Sequence, residues 1–168
     1  RPPARYDRPM PAADAVSVAP VTPALADAVR ALRVRPAQYG FVGDIAQLLI
    51  EAERDPYSDA MAVLLGAAVV GFYRFDYSPV VVGGKSLGAN AVALRSLMID
   101  RGRQGQGLGR RALDACCADL RQRHPERRLL ALTVNCGNLV ALRLYREAGF
   151  VDTGEFWFGG PSGPQRIL

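Results

Sequence analysis

The chain contains the stretch Leu94-Arg-Ser-Leu-Met-Ile-Asp100, followed three residues later by Gln104-Gly-Gln-Gly-Leu-Gly109. The apolar first part predicts a strand, and the second part predicts a glycine-rich turn that opens directly into a helix. Because glycine lacks a Cβ atom, the backbone of this turn can approach a ligand closely. The first N–H groups of the helix have no intrahelical acceptor and, with the helix dipole, favour an anion. The stretch therefore predicts a site for a pyrophosphate group.

Two other glycine-rich phosphate loops do not fit this chain. A dinucleotide-binding fingerprint has the form G-x-G-x-x-G, but counted from Gly105 and Gly107 its third glycine would fall on Arg110. A P-loop would have its tail at Gly84-Lys85-Ser86, but Pro79 stands where its first glycine belongs. The pattern that remains is Gln-x-x-Gly-x-Gly between a strand and a helix.

A second motif follows the apolar stretch 129–134, which predicts a buried strand. It is Asn138-Leu-Val-Ala-Leu-Arg-Leu-Tyr145-Arg-Glu-Ala-Gly149-Phe150. Asn138 is suited to an N-cap, and Gly149 stands where a left-handed C-terminal cap is wanted. Helical spacing places four residues on one face, namely Ala141, Leu144, Tyr145 and Ala148. Taken alone, this segment indicates a capped amphipathic helix with a buried tyrosine.

Together the two motifs, over about positions 94–150, resemble the GCN5-related N-acetyltransferase (GNAT) family. The resemblance implies an α/β fold with a central, mixed and mostly antiparallel sheet and helices on both faces. It also implies that acetyl-CoA binds between the strands 94–100 and 129–134, whose ends diverge. The reaction implied is direct attack of a neutral amine on the thioester, in a ternary complex. The acceptor would be a primary amine of a small molecule or a peptide.

The resemblance also implies roles for individual residues. The pantetheine and thioester would contact the main chain of Leu97, Met98 and Ile99. N–H groups would hold the pyrophosphate along the glycine loop, that is Gln104, Gly105, Gln106, Gly107, Leu108, Gly109 and Arg110. Asn138 would bond the pantetheine arm, and Tyr145 would protonate the departing thiolate as general acid. A tyrosine pKa near ~10 keeps that hydroxyl protonated at neutral pH.

The residue that would accept the amine proton is not identified by the motifs. Several relatives carry a glutamate partway along the central strand, where this chain has Arg95, which cannot act as a base. Asp100 is placed to cap or orient the glycine loop. Three acidic residues close a predicted helix that would wall the acceptor pocket, namely Glu51, Glu53 and Asp55. No base is assigned, and a non-catalytic CoA-binding sensor or structural protein of the same fold stays open as the alternative.

Composition is that of one domain. With 168 residues, 49% of them hydrophobic, the chain can bury one core, so we expect a flexible leader over 1–13 and a single acetyltransferase domain over 14–168. No apolar run reaches the ~20 residues of a membrane helix, and three cysteines without a disulfide pattern favour the cytoplasm. One histidine and no zinc-like cysteine spacing argue against a metal site.

The net charge of +5 comes almost wholly from arginine, since Lys85 is the only lysine. The arginines are scattered along the chain, which argues against a nucleic-acid-binding face and leaves CoA phosphates as the simpler partner. Trp157 is expected in core packing, in a subunit contact of a homodimer, or in the wall of the acceptor pocket.

Secondary structure is expected in the order β-α-α-β-β-β-α-β-α-β-β. Within this order the two first helices are predicted over about 23–32 and 36–54, and Thr22 is the candidate N-cap of the first. A hairpin is predicted across Gly66, and a second hairpin ends the chain.

Overall fold

A computed structural model describes residues 14–79 and 82–168, so the predicted leader over 1–13 lies outside the described residues. The main sheet has five strands in the order β1-β2-β3-β4-β5. The first four pair antiparallel, and β5 runs parallel to β4. The strands are β1 (Val16–Pro20), β2 (Ser58–Leu65), β3 (Ala68–Asp76), β4 (Ala91–Ile99) and β5 (Leu129–Ala131). The predicted α/β fold with a mixed, mostly antiparallel sheet is confirmed.

A second, three-stranded sheet continues the molecule beyond β5, with the order β6-β8-β7. Its strands are β6 (Thr133–Asn135), β7 (Phe156–Trp157) and β8 (Gln165–Ile167), all antiparallel to their neighbours. β7 and β8 form the predicted terminal hairpin. The stretch 129–134, predicted as one strand, is interrupted at Leu132, whose N–H and C=O pair with Leu168 at 2.9 and 3.0 Å. This interruption turns the chain from the first sheet into the second.

The helices are α1 (Pro23–Arg30), α2 (Tyr39–Val42), α3 (Ile45–Arg54), α4 (Leu108–Arg123) and α5 (Leu139–Glu147). Single-turn 3-10 helices at Pro36–Gln38 and Arg101–Arg103 precede α2 and α4. α1 and α3 cover one face of the main sheet, where they pack on Phe72 and Met98. α4 and α5 cover the other face in the larger core cluster, around Tyr73 and Leu94. The expectation of helices on both faces is therefore correct.

The helix predicted over about 36–54 is wrong as a continuous element, because it breaks at Gly43. This glycine has φ +89°, and Asp44 then starts α3 by accepting a hydrogen bond from the Gln47 N–H at 2.8 Å. A left-handed glycine followed by an Asp N-cap ends one helix and begins another. Thr22 does occupy the N-cap position of α1, but its side chain makes no capping hydrogen bond.

α4 buries one face, formed by Leu108, Ala112, Leu113, Cys116 and Leu120. All three cysteines of the chain are free thiols. Among the described residues, none of the helices combines the length and the hydropathy that crossing a bilayer requires.

Candidate active site

The central feature of the site is a fork between β4 and β5. Their parallel pairing ends at Ala93 and Ala131, after which Leu132 bonds instead to Leu168, the residue that follows β8. From Leu94 onward β4 has therefore lost β5 as a neighbour, and one of its edges faces the gap. An unpaired strand edge offers N–H and C=O groups to an extended ligand. The divergence implied by the family resemblance is present.

A β-bulge in β4 lies just beyond the start of this fork. Arg74 pairs with Arg95 and Phe72 pairs with Met98, so that two residues of β4, Ser96 and Leu97, stand opposite a single residue of β3. Ser96 has φ +55°, the only positive value outside glycine among the described residues. Such a bulge bends the strand and increases its twist. It therefore changes the course of β4 in the part of the strand that no longer pairs with β5.

Asp100 holds the loop that follows β4. One of its carboxylate oxygens accepts from the Gly102 N–H and the other from the Arg33 N–H, both at 2.9 Å. The Arg101 N–H donates a hydrogen bond to the Arg33 carbonyl at 2.6 Å. The role expected for Asp100, capping and orienting the loop, agrees with these contacts.

The glycine loop has the backbone that an anion cradle needs. Gly105 and Gly107 have φ +79° and +72°, and a Cβ atom at either position would meet no atom within 4 Å. Glycine is thus required there by conformation and not by crowding. Gly107 is the N-cap of α4, so the first N–H groups of this 16-residue helix lie at the end of the fork.

Two polar side chains of this segment, those of Gln104 and Arg110, make hydrogen bonds within the protein. Gln104 donates from Nε2 to the Ile99 carbonyl at 2.9 Å and to Gln38 Oε1 at 2.8 Å. Arg110 pairs with Asp114 at 3.1 Å and donates to the Glu147 carbonyl at 2.7 Å. Their side chains therefore fasten the loop and α4 to neighbouring elements, while the first backbone N–H groups of α4 have no intrahelical acceptor.

α5 contributes the two other residues singled out in the sequence. Asn138 caps α5, because its Oδ1 accepts from the Ala141 N–H at 3.2 Å, which leaves Nδ2 as its donor. Tyr145 is 8% exposed and lies in the same core cluster as Leu94 and Leu132. Leu94 belongs to the β4 arm of the fork, and Leu132 belongs to the arm that follows β5. Its ring meets Phe150 edge-on at 5.5 Å. Burial, with a smaller contribution from Cys116, raises the pKa of Tyr145 well above its ordinary value.

A cavity of about 300 Å³ opens on the α3 side of the fork. It is lined by both arms of the fork, by α2 and α3, and by the second sheet; the residues are Phe41, Leu48, Glu51, Arg74, Val82, Ala93, Leu94, Arg95, Ser96, Leu132, Thr133, Trp157 and Gln165. Another opening of about 560 Å³ lies among the first three helices, but its only contact with β4 is Met98. The smaller cavity therefore has the better access to the fork.

Two ion pairs hold the arginines that line this cavity. Arg74 binds Glu51 at 3.2 Å, and Arg95 binds Asp76 at 2.7 Å. Burial opposes the charge of Asp76, but hydrogen bonds from Ser78 and the charge of Arg95 together lower its pKa. Sequence reasoning missed Arg74 and Asp76, although their spacing of two on a strand places them on one face.

Of the three acidic residues expected near the acceptor, only Glu51 lines the cavity. Asp55 instead accepts from the Tyr57 N–H at 2.9 Å in the turn after α3. Trp157 both packs in a small core cluster with Val82 and Ile167 and lines the cavity. The core packing expected for this tryptophan is therefore present, and its side chain also lines this cavity.

Comparison with known proteins identifies the fold and the family. A family model described as Acetyltransferase (GNAT) family matches residues 26–150. The chain belongs to this family. A probable spermine N(1)-acetyltransferase of Bacillus subtilis subsp. natto (strain BEST195) is 28% identical over 133 residues, which are 79% of this chain and 86% of that protein.

Solved structures of acetyltransferases share the fold. One, an acetyltransferase from Thermus thermophilus, is 27% identical with a TM-score of 0.66, over 92% of this chain and 96% of that chain. Another, AAC(6')-Ib in complex with parmomycin and acetyl-CoA, is 19% identical with a TM-score of 0.71, over 92% of both chains.

This GNAT protein is an N-acetyltransferase that uses acetyl-CoA as its acetyl donor. The donor needs an extended channel for its pantetheine arm and N–H donors for its pyrophosphate. The open edge of β4 and the start of α4 have those properties. Within the described parts of the chain, no cluster of three or more side chains could ligate a metal ion.

Proposed function

We propose that this enzyme transfers the acetyl group of acetyl-CoA to a primary amine of a small molecule or a peptide, in a ternary complex, with Tyr145 as general acid. The observation that carries the proposal is the fork itself. β4 and β5 separate beyond Ala93 and Ala131, and the next residues of the two arms, Leu94 and Leu132, both pack in one cluster with Tyr145 and line the cavity on the α3 side. A thioester in the fork would therefore be reached by an amine from the cavity.

The donor would be held mostly by backbone groups. N–H groups from Gln104 to Arg110 would bind the pyrophosphate at the start of α4, and the main chain of Leu97, Met98 and Ile99 would pair with the pantetheine arm. The Ile99 carbonyl would be shared with Gln104 Nε2, from which it already accepts. Asn138 would donate from Nδ2 to the same arm, while its Oδ1 continues to cap α5.

The proposed chemistry balances without a covalent enzyme intermediate. The amine nitrogen attacks the thioester carbonyl carbon, the carbon–sulfur bond breaks, and the sulfur leaves with the electron pair. Tyr145 protonates that sulfur, the proton of the amine passes to water, and the resulting tyrosinate is reprotonated from solvent before the next turnover. Because burial raises the pKa of Tyr145, its hydroxyl is protonated across the pH range in which amines become neutral. No side chain is assigned as base.

The test is thiol release from acetyl-CoA with a panel of amines, comparing the parent protein with Tyr145→Phe. Loss of a general acid is expected to lower kcat by about 100-fold or more, while the Kd for acetyl-CoA stays within about threefold. Tyr57→Phe is the matched control, since Tyr57 is exposed and outside the site. It should behave like the parent.

Two results would contradict the proposal. Equal loss of turnover and of acetyl-CoA affinity in Tyr145→Phe would make the ring structural rather than catalytic. CoA binding without turnover of any amine would favour the sensor alternative. If Tyr145 acts as the acid, kcat of the parent should also not fall as pH rises through ~10, the ordinary pKa of tyrosine.

A further inference from the structure

The cavity beside the fork presents more positive than negative side chains. Among the described residues that line it, Arg74 and Arg95 carry positive charge, and Glu51 alone carries negative charge. Asp76, the partner of Arg95, is not part of the lining, and its side chain is only 11% exposed. The surface that an acceptor meets is therefore cationic near β4.

The two arginines lie directly opposite each other on neighbouring strands, in the register Arg74 to Arg95. Like charges in this position repel each other, and here each is compensated by its own carboxylate. The two are not equivalent: the Arg74 side chain is buried under Glu51, while that of Arg95 is 40% exposed. Arg95 is thus the more accessible of the two guanidinium groups that line the cavity.

Arg95 also has a fixed direction. Its Nε donates to Asp76 Oδ2 at 2.7 Å, which orients the planar guanidinium, and Asp76 is held in turn by the Ser78 N–H at 2.9 Å. An oriented guanidinium is well matched to the two oxygens of a carboxylate. Arg95 stands two residues before Leu97 on β4, which is about 7 Å along a strand. A group bound to Arg95 would therefore lie within one small molecule's length of the proposed thioester site.

We propose that the acceptor is a small amine that also bears a carboxylate, of amino-acid size, and that Arg95 binds this carboxylate. The inference rests on the proposed function and names its substrate class. A cavity of about 300 Å³ suits a molecule of that size. Phe41, Leu48 and Trp157 in its walls suit an apolar side chain. A polyamine, by contrast, would bring additional ammonium groups against two guanidinium groups.

The experiment compares acceptors that differ only in the carboxylate. The pairs are leucine with isoamylamine, phenylalanine with phenethylamine, and lysine with cadaverine, with spermine as a polycation. In the parent protein each amino acid is expected to exceed its decarboxylated partner in kcat/KM by about tenfold or more. In Arg95→Gln this ratio should fall to about one, mainly through KM of the acid, and Arg95→Lys should restore part of it.

Arg143→Gln is the matched control, because it removes the same charge from a side chain that is 80% exposed on α5 and outside the cavity. In this variant the ratio of kcat/KM between each amino acid and its decarboxylated partner should equal that of the parent. An unchanged Kd for acetyl-CoA in Arg95→Gln would show that this variant is folded. Equal turnover of acids and their decarboxylated partners by the parent would overturn this inference alone. Turnover of no amine at all would overturn the proposed function with it.

Discussion

Ser96 carries the backbone strain of the site. A φ of +55° brings the Cβ atom of an L-residue close to the following carbonyl, yet the bulge between β3 and β4 requires that conformation. Strain of this kind persists only where the surrounding structure enforces it, and it is often found at functional sites. Ser96 lines the cavity proposed for the acceptor and lies on the open edge of β4.

Substitutions at Ser96 should separate strain from chemistry. Ser96→Gly removes the Cβ atom, so we expect a protein at least as stable as the parent. Ser96→Val adds a β-branched side chain that tolerates this conformation poorly, with an expected loss of about 1–2 kcal/mol. Urea unfolding gives these differences, and Ser96→Ala, which keeps Cβ but lacks the hydroxyl, is the control. If the valine variant were as stable as the parent, the surrounding structure would not be enforcing the positive φ at position 96.

At the scale of elements, the wall of the acceptor cavity depends on where α3 begins. Asp44 starts α3 with a side-chain cap, and α3 then places Leu48 and Glu51 in the cavity wall. Thr22 starts α1 without such a bond. The two N-caps therefore form a natural comparison within one chain.

Asp44→Ala is expected to lower the free energy of unfolding by about 1 kcal/mol, because it leaves the Gln47 N–H without its acceptor. Thr22→Ala should cost much less, since no capping bond is lost. Thermal or urea unfolding of both variants measures the difference. Equal losses of unfolding free energy in the two variants would mean that water replaces the Asp44 side chain as the acceptor of the Gln47 N–H. Acceptor KM should rise only in Asp44→Ala, since α3 carries the cavity wall.

The elements that could be predicted from sequence are those with local signals. The glycine loop and the helix from Asn138 to Gly149 each carry their caps within a few residues, and both formed as expected. Gly43-Asp44 is also a local signal, for a helix end and a helix start, and the prediction of one helix over about 36–54 did not use it. The interruption at Leu132 could not be predicted, because it depends on Leu168, which is distant in the chain. The same holds for Arg74 facing Arg95, which depends on the bulge at Ser96.

At the scale of the whole molecule, hydrogen bonds join the glycine loop proposed for the donor to the segment that leads into the wall of the cavity proposed for the acceptor. The segment between α1 and α2 bonds to Asp100 through the Arg33 N–H, and to Gln104 through Gln38. The same segment leads directly into α2 and α3, which line the acceptor cavity. Ordering of the glycine loop by acetyl-CoA would therefore also order the acceptor wall. Binding of the two substrates should be coupled, and the coupling should be reciprocal.

Asp100→Ala tests this coupling. It removes the acceptor of two backbone N–H groups, so we expect a loss of about 1–3 kcal/mol in stability and about tenfold weaker binding of acetyl-CoA. Acceptor KM should rise as well, although Asp100 does not line the cavity. Calorimetry measures acceptor binding with and without CoA: CoA should strengthen it in the parent but not in Asp100→Ala. Asp27→Ala, which removes only a surface ion pair on α1, should retain the coupling. Weaker acetyl-CoA binding with unchanged acceptor affinity and coupling would mean that Asp100 serves the glycine loop alone.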